Sequence, residues 1–565
     1  MTRPNPPRSS ISRRTLITGS AALGAAAGAG LWTPATAHAA APRAAASELS
    51  TDPFTLGVAS GDPSSDGIVL WTRLATDPLA EDGLGGMPNQ TLEVEWQLAT
   101  DEGMAKIAAS GITPAAPDAA HSVHVEVDKL EPHRHYWYRF RVGTYVSPVG
   151  RTRTAPAPDV VVDSLRMAFV SCSQYEHGYF DAYRALAEDD PDLVLHLGDY
   201  QYEYTAGDYT IPGGNIRDHE GPETVTLANY RQRHAQYKSD ADLQAAHAAA
   251  PFLVVFDDHE VDNNWADEMP ENPAEKPTFM ERRTAAFKAY YENMPLRRSS
   301  IPNGPNIQIY RRAQWGRLAS FHMLDTRQFR DDQSCGDRWQ NDCQEAFDPK
   351  RTITGGQQEK WLVDGFRKSR ARWDFLGQQV FFAQRDADAG PVRRASMDSW
   401  DGYVASRDRI TRGWVDAKVR NPIVLTGDVH AHWASELKLD YEDPTSRTVG
   451  TELVCSSITS GGNGEDSDPK DNPFLEINPH LKFYNNLRGY VRTTITPGQM
   501  TADFRCLPYV HEQGAPVFTR ATFVAEDGQP GLHQTADNPL PTPRQQRSDK
   551  EIINRTIRWE SDRPK

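Results

Sequence analysis

Leu195-His196-Leu197-Gly198-Asp199-Tyr200-Gln201-Tyr202 is an apolar run that stops at a glycine and then offers a carboxylate and a phenol. A short apolar run closed by a turn residue reads as a buried strand whose end carries polar side chains. Three further stretches share the design: Ala168-Phe169-Val170-Ser171-Cys172, Val254-Val255-Phe256-Asp257-Asp258-His259-Glu260, and Ile423-Val424-Leu425-Thr426-Gly427-Asp428-Val429-His430-Ala431-His432. Between them strand and helix patterns alternate. Strands are expected at 165–170, 193–197, 252–256, 375–383 and 423–425, helices at 180–188, 229–250, 281–293, 357–370 and 407–418, and strand character at 307–324 before a β-rich end. This grammar predicts an α/β layer architecture, in which strand ends converge on one edge and bind ligands there.

Upstream the pattern is all β. Val123, Val125 and Val127 alternate with His124, Glu126 and Asp128, and Tyr136, Tyr138, Phe140 and Val142 alternate with Trp137, Arg139 and Arg141. That is the period of half-buried strands, and turns such as Gly61-Asp62-Pro63 separate them. Residues 54–154 are therefore expected to form a small immunoglobulin-like or fibronectin-like sandwich, followed by the stiff linker Ala155-Pro156-Ala157-Pro158. The α/β domain would span 160–525, and 526–565 is polar enough to predict a loosely held tail.

Residues 1–39 read as a twin-arginine export signal: Arg13-Arg14 precede a mild Ala, Gly and Leu stretch that ends in Ala37-His38-Ala39, a small-residue cleavage pattern. The expected location is outside the cell, with the twin-arginine translocon as a partner during export, and 40–52 as an Ala/Ser-rich lead-in. Such export serves proteins that fold first, which hints at a cofactor. Beyond the leader no apolar run reaches 18 residues, so no transmembrane segment is expected. A formal charge of -16 argues against nucleic acid or anionic membrane as a stable partner.

Of five cysteines, Cys335 and Cys343 flank a short polar loop and Cys455 and Cys506 lie late in the chain. An exported protein should pair them, giving Cys335 with Cys343 and Cys455 with Cys506, and leaving Cys172 as a candidate thiolate. Its bland reading is a small buried hydrophobe. Each motif has such a reading, because Asp after Gly at a strand end is often a turn former or cap. Four together are harder to dismiss, since burying so many carboxylates and histidines costs several kcal/mol per unpaired charge unless cations neutralise them. Thiolate, phenolate, carboxylate and imidazole suit a transition metal such as iron, and Asp258 with Asp428 suits a hard ion such as calcium, magnesium or manganese, with Asp199 placed to bridge. Two adjacent cations can clamp a phosphoryl group, and His259 would protonate the leaving group or stabilise developing charge.

The G-D-x-x-Y element at 198–202, the D-D-H-E element at 257–260 and the G-D-V-H-x-H element at 427–432 resemble the calcineurin-like metallophosphoesterases, and more closely the alkaline phosphatase D family. The stretches Phe54-Thr55-Leu56-Gly57-Val58-Ala59-Ser60-Gly61-Asp62-Pro63 and Val69-Leu70-Trp71-Thr72-Arg73 are similar to that family's N-terminal region. The resemblance implies a four-layered αββα core and an iron(III) and calcium centre. Cys172, Asp199, Tyr202 and His430 would bind iron, and Asp199, Asp258 and Asp428 calcium, with Asn263 a further candidate. Relatives in the wider superfamily carry Asp, Asn and His where this chain has Cys172, Asp258 and Asp428, which favours calcium over zinc at the second site. A middle histidine ligand common in the superfamily has no counterpart near Gln378-Gln379.

The implied activity is hydrolysis of phosphate monoesters or diesters, wall polymers included, by in-line attack of a metal-bound hydroxide without a covalent enzyme intermediate. A calcium-dependent phospholipase D is the alternative within the family. A non-catalytic protein that binds wall polymer is the alternative from another class.

Overall fold

The strands Leu165–Val170, Leu193–His196 and Phe252–Val254 lie side by side and parallel, with Leu195 opposite Phe169 on one side and Leu253 on the other. They are continuous apolar runs because a parallel strand in the middle of a sheet is covered on both faces. The computed structural model describes residues 49–467 and 472–540. The leader expected at 1–39 and the end of the expected tail, 541–565, lie outside them.

These strands belong to a ten-stranded sheet. A second, seven-stranded sheet contains Ala319–Met323, Trp373–Gly377, Pro422–Thr426 and Thr448–Val454 as parallel neighbours. Alternation along its strands divides their side chains between two cores. Phe375, Ile423, Leu425 and Leu453 pack in one core with Phe169 and Leu195 of the other sheet. Leu376, Val424 and Val454 pack in another with Phe366 of helix Gly355–Lys368 and Ile410 and Trp414 of helix Val404–Asp416. Tyr183, Tyr237 and Phe287 bring helices Asp181–Glu188, Leu227–Lys238 and Lys276–Asn293 into the core that the two sheets share. Each such apolar side chain contributes about 1.5–3 kcal/mol on burial. The strand ends are therefore held on a rigid scaffold.

Several sequence-based expectations change. The helix expected at 229–250 is two, Leu227–Lys238 and Ala241–Ala249, because the Asp240 side chain accepts from the Asp242 and Leu243 N–H groups and caps a fresh start. The strand expected at 375–383 ends at Gly377. The N-terminal strands do not make a free-standing sandwich. Val58–Gly61, Ile68–Arg73 and Ser122–Val127 extend the ten-stranded sheet, joined through the parallel pair Gly61 and Phe252. Leu92–Ala99 and His135–Val142 belong to a separate five-stranded sheet whose Val94, Leu98, Tyr138 and Phe140 pack with Val58, Leu70 and Val125. The polar tail is not loose over its first part, since His533–Asp537 pairs with Phe518–Glu526.

The disulfide Cys335–Cys343 is present, whereas Cys455 and Cys506 are unbonded and buried. Cys506 lies in strand Gln499–Leu507 of the ten-stranded sheet, and Cys455 follows Thr448–Val454 of the seven-stranded one. Sequence proximity to the chain end carries no information about which sheet each joins. Among the described residues no helix is long and apolar enough to cross a membrane.

Candidate metal centre

Three of the four motifs leave their strands through a backbone that L-residues avoid. Cys172, Asp199, Asp428 and His430 all sit in the left-handed region, at φ of 62, 53, 63 and 51°. Such residues cost on the order of 1–3 kcal/mol each and persist where surrounding structure imposes them. They end the period-2 alternation of the strands and start loops that carry the polar side chains.

Glycines let those loops close up. Gly198 has φ +112°, and a Cβ there would lie 2.4 Å from Asp257 Cβ; a Cβ on Gly427 would lie 2.6 Å from Ser171 Oγ. The Cys172 N–H donates to Gly198 O (3.1 Å), the Ser173 N–H to Asp199 O (2.9 Å), and the Ile458 N–H to Cys172 O (3.1 Å), so the ends of both sheets are stitched together.

The donor atoms gather in three overlapping groups, each with its atoms within 4.8 Å of one another: Cys172, Asp199 and His430; Asp199, Asp258 and His259; and Asp257, Asp258 and Asp428. Tyr202 joins the first, its hydroxyl donating to Asp199 Oδ2 at 2.9 Å and lying 3.2 Å from His430 Nε2. All seven residues singled out from the sequence thus meet at one place, and Asp199 is common to two groups. Asn263 is buried beside them, its N–H donating to Glu203 Oε1 and its amide to Glu271 Oε1. At the place of the missing histidine ligand, the Gln378 side chain donates to Thr426 Oγ1 and Gln379 accepts from Thr326 Oγ1, so both are spent on structure. His432, the second histidine of its motif, packs edge-on against Phe504 and accepts from the Ser456 N–H.

Residues that sequence reasoning passed over hold the cluster in place. Glu260 accepts three backbone N–H groups, from Asp199 (3.1 Å), Tyr200 (2.6 Å) and Asp257 (2.8 Å), and so ties two motifs together. Glu203 Oε2 lies 2.7 Å from His259 Nδ1. A carboxylate can only accept there, so Nδ1 carries the proton and Nε2 is the atom left for chemistry. The His259 ring stacks on Tyr202, with centroids 4.1 Å apart. Arg327 donates to Asp257 Oδ1 (2.6 Å) and in a fork to both oxygens of Asp398 (2.9 Å each), and approaches Asp258 at 3.8 Å. Asn264 N–H fixes Asp258 Oδ2 at 2.8 Å. Glu260 was visible inside its motif and Glu203 follows directly on Tyr202; nothing in the sequence marked Arg327 or Asp398.

Burial pushes the Asp257 carboxyl well above its ordinary range against the pull of Arg327, with the charges of Asp258 and Asp428 adding to the rise. Burial likewise raises the Cys172 thiol well above its ordinary value, and Asp199 adds to this. Both shifts come first from burial, with neighbouring negative charge adding to them, and bound cations would relieve both. The donor set fits that need, with sulfur, phenol and imidazole on one side and carboxylates alone on the other.

The mixed α/β fold brings metal-capable side chains together at strand ends, and comparison with known proteins gives the class, a phosphoesterase hydrolase. The chain belongs to the PhoD-like phosphatase family: the family profile matches residues 167–504, and that of the PhoD-like phosphatase N-terminal domain matches 37–156. It is 51% identical over 496 residues to alkaline phosphatase D of Bacillus subtilis (strain 168), covering 88% of this chain and 85% of that one. A solved structure of PhoD superposes with a TM-score of 0.87 at 49% identity, covering 91% of this chain and 98% of the other.

Proposed function

We propose that this chain is an exported two-metal phosphoesterase of four-layered αββα design, with a transition metal such as iron(III) held by Cys172, Asp199, Tyr202 and His430 and a hard ion such as calcium by Asp199, Asp258 and Asp428. The overlap of the three donor groups, linked through Asp199 and Asp258, carries this reading. Bound cations would polarise the phosphoryl oxygens and lower the pKa of an attacking water. His259, its Nδ1–H committed to Glu203, would act as the imidazolium, donating its Nε2–H to the leaving oxygen and so stabilising the charge that develops there. Arg327 holds Asp257 and Asp398, and the Asn264 N–H keeps Asp258 oriented. No side chain in the cluster serves as a covalent nucleophile in this scheme, because Cys172 is occupied as a ligand. Export by the twin-arginine route follows from the 1–39 leader and is part of the proposal.

The test is the ratio of kcat/KM for a chromogenic phosphodiester and its matching monoester, measured with iron and calcium present and again after chelation. Turnover that chelation abolishes and the two ions restore supports the reading. Turnover that survives complete metal removal overturns it.

A further inference from the structure

Cys455 is a buried thiol that neither the disulfide nor the three donor groups use. Its sulfur lies 3.4 Å from Ser171 Oγ, and the same oxygen lies 3.1 Å from Cys172 Sγ. Ser171 sits where the two sheets meet: it pairs with Ser457 in an isolated parallel bridge, and its carbonyl accepts from the Ile458 N–H at 3.1 Å. All three side chains are buried. Gly427 closes the space from the side, because a Cβ there would lie 2.6 Å from Ser171 Oγ and 2.7 Å from its Cβ. The hydroxyl is thus held between two sulfurs, and among the described residues these are its hydrogen-bond partners.

With Cys172 as a neutral thiol the hydrogens run one way. Cys172 S–H donates to Ser171 Oγ, the Ser171 hydroxyl is left to donate to Cys455 Sγ, and Cys455 S–H points to the Thr426 carbonyl at 3.5 Å. Every link has sulfur as donor or acceptor, and sulfur is weak as both. A buried hydroxyl with only such partners is poorly compensated for the water it gave up. It gains most when one sulfur carries a charge, since a hydrogen bond to an ion is roughly twice as strong as a neutral one. Cys172 is the sulfur grouped with Asp199 and His430, whereas Cys455 belongs to no such group.

We propose that Ser171 and Cys455 are positioning residues for a Cys172 thiolate: the Ser171 hydroxyl turns to donate to Cys172 Sγ, and Cys455 S–H turns from Thr426 to donate to Ser171 Oγ. This rests on Cys172 being a ligand of the transition metal. The Cys172 proton leaves to water as the ligand forms, and no other bond breaks. A donor on the sulfur withdraws electron density that the thiolate would otherwise give to its ion, which raises the ion's reduction potential. Cys455 thereby has a use that a disulfide would destroy.

The experiment uses the full chain loaded with iron and compares wild type, Ser171→Ala, Cys455→Ala and Cys455→Ser. It reads the sulfur-to-iron and phenolate-to-iron charge-transfer bands by magnetic circular dichroism, and the midpoint potential of the iron by spectroelectrochemical titration. Ser171→Ala should move the sulfur band to lower energy without lowering that of the Tyr202 band. It should also favour the oxidised ion about tenfold, a fall in potential of about 59 mV for one electron. Cys455→Ala should move both readings the same way by less, and Cys455→Ser, which keeps a donor in place, should restore them. If Ser171→Ala does not fold or load, the two Cys455 variants decide. An unchanged sulfur band and potential in the alanine variants, at wild-type iron content, would overturn the proposal and leave the ligand set standing. Equal lowering of both bands would also overturn it, by showing a general loosening of the site. Absence of a sulfur band in the iron-loaded wild type would overturn Cys172 as a ligand and the proposal with it.

Discussion

The two sides of the cluster are supported in different ways. Around Cys172, Tyr202 and His430 the supporting contacts include neutral hydroxyls and a bond to backbone: Ser171 Oγ accepts from Cys172 Sγ (3.1 Å), Ser460 Oγ donates to the Tyr202 hydroxyl (2.7 Å), and Arg488 donates to the His430 carbonyl (2.9 Å). Around Asp257, Asp258 and Asp428 the support is ionic, with Arg327 and Arg330 drawn onto Asp398 and Asp257. A thiol, a phenol and an imidazole can each be neutral before a metal arrives, so their surroundings need little charge. Carboxylates of this number must be balanced in the folded chain, metal or no metal. On the proposed reading the first side would be charged by its ion, whereas Arg327 already lies beside the second.

That contrast can be broken most severely at the residue the two sides share. Asp199→Ala should lose both ions and lower kcat/KM by about a thousandfold or more, several kcal/mol of transition-state stabilisation. Metal analysis beside the kinetics checks this, and loss of only one ion would show that Asp199 does not bridge. Glu203→Gln is expected to leave both ions bound and to reduce kcat by about 10–100-fold. His259 Nδ1 and the Asn263 N–H face different oxygens of Glu203, and glutamine puts an NH2 donor where one of them stood. The variant should also change the pH profile of kcat while KM stays near wild type, which a purely structural loss would not do. Asp398→Asn removes the anion that draws Arg327 away from Asp258, so the hard ion should bind about 10–100-fold more weakly while the transition metal stays. Titration with a calcium-selective chelator separates these outcomes.

The smallest effect belongs to a group behind the cluster. Lys238 is buried with its ammonium 3.0 Å from the Tyr200 hydroxyl and 4.4 Å from the centre of the Trp71 ring, and burial lowers its pKa to about 7. A lysine depressed from 10.5 binds fewer protons folded than unfolded between those values, so stability should rise as pH rises from about 7 toward 10.5. Lys238→Met should flatten that rise and increase Tm at pH 7 relative to wild type, as thermal denaturation across pH would show.

The parallel strands, their order along the chain and the convergence of Cys172, Asp199, Asp258 and Asp428 were legible because each is a local pattern: an apolar run, a turn, a polar side chain. What could not be read is what depends on pairing across long stretches of chain. Gly61 joining Phe252 turned one layer of the expected sandwich into an extension of the main sheet, while the other stayed a separate five-stranded sheet. Cys455 and Cys506 joined different sheets, and no spacing rule could have separated them. Arg327 meets Asp257 from 70 residues away, and neither residue carries a signature of the other.

The most direct test of the two-sided centre is the metal content per chain of the purified protein, by elemental mass spectrometry, before and after mild calcium chelation. One transition-metal ion and one hard divalent ion per chain are expected, with chelation removing only the second and abolishing turnover. A chain that carries a single metal ion and retains full turnover would contradict the account.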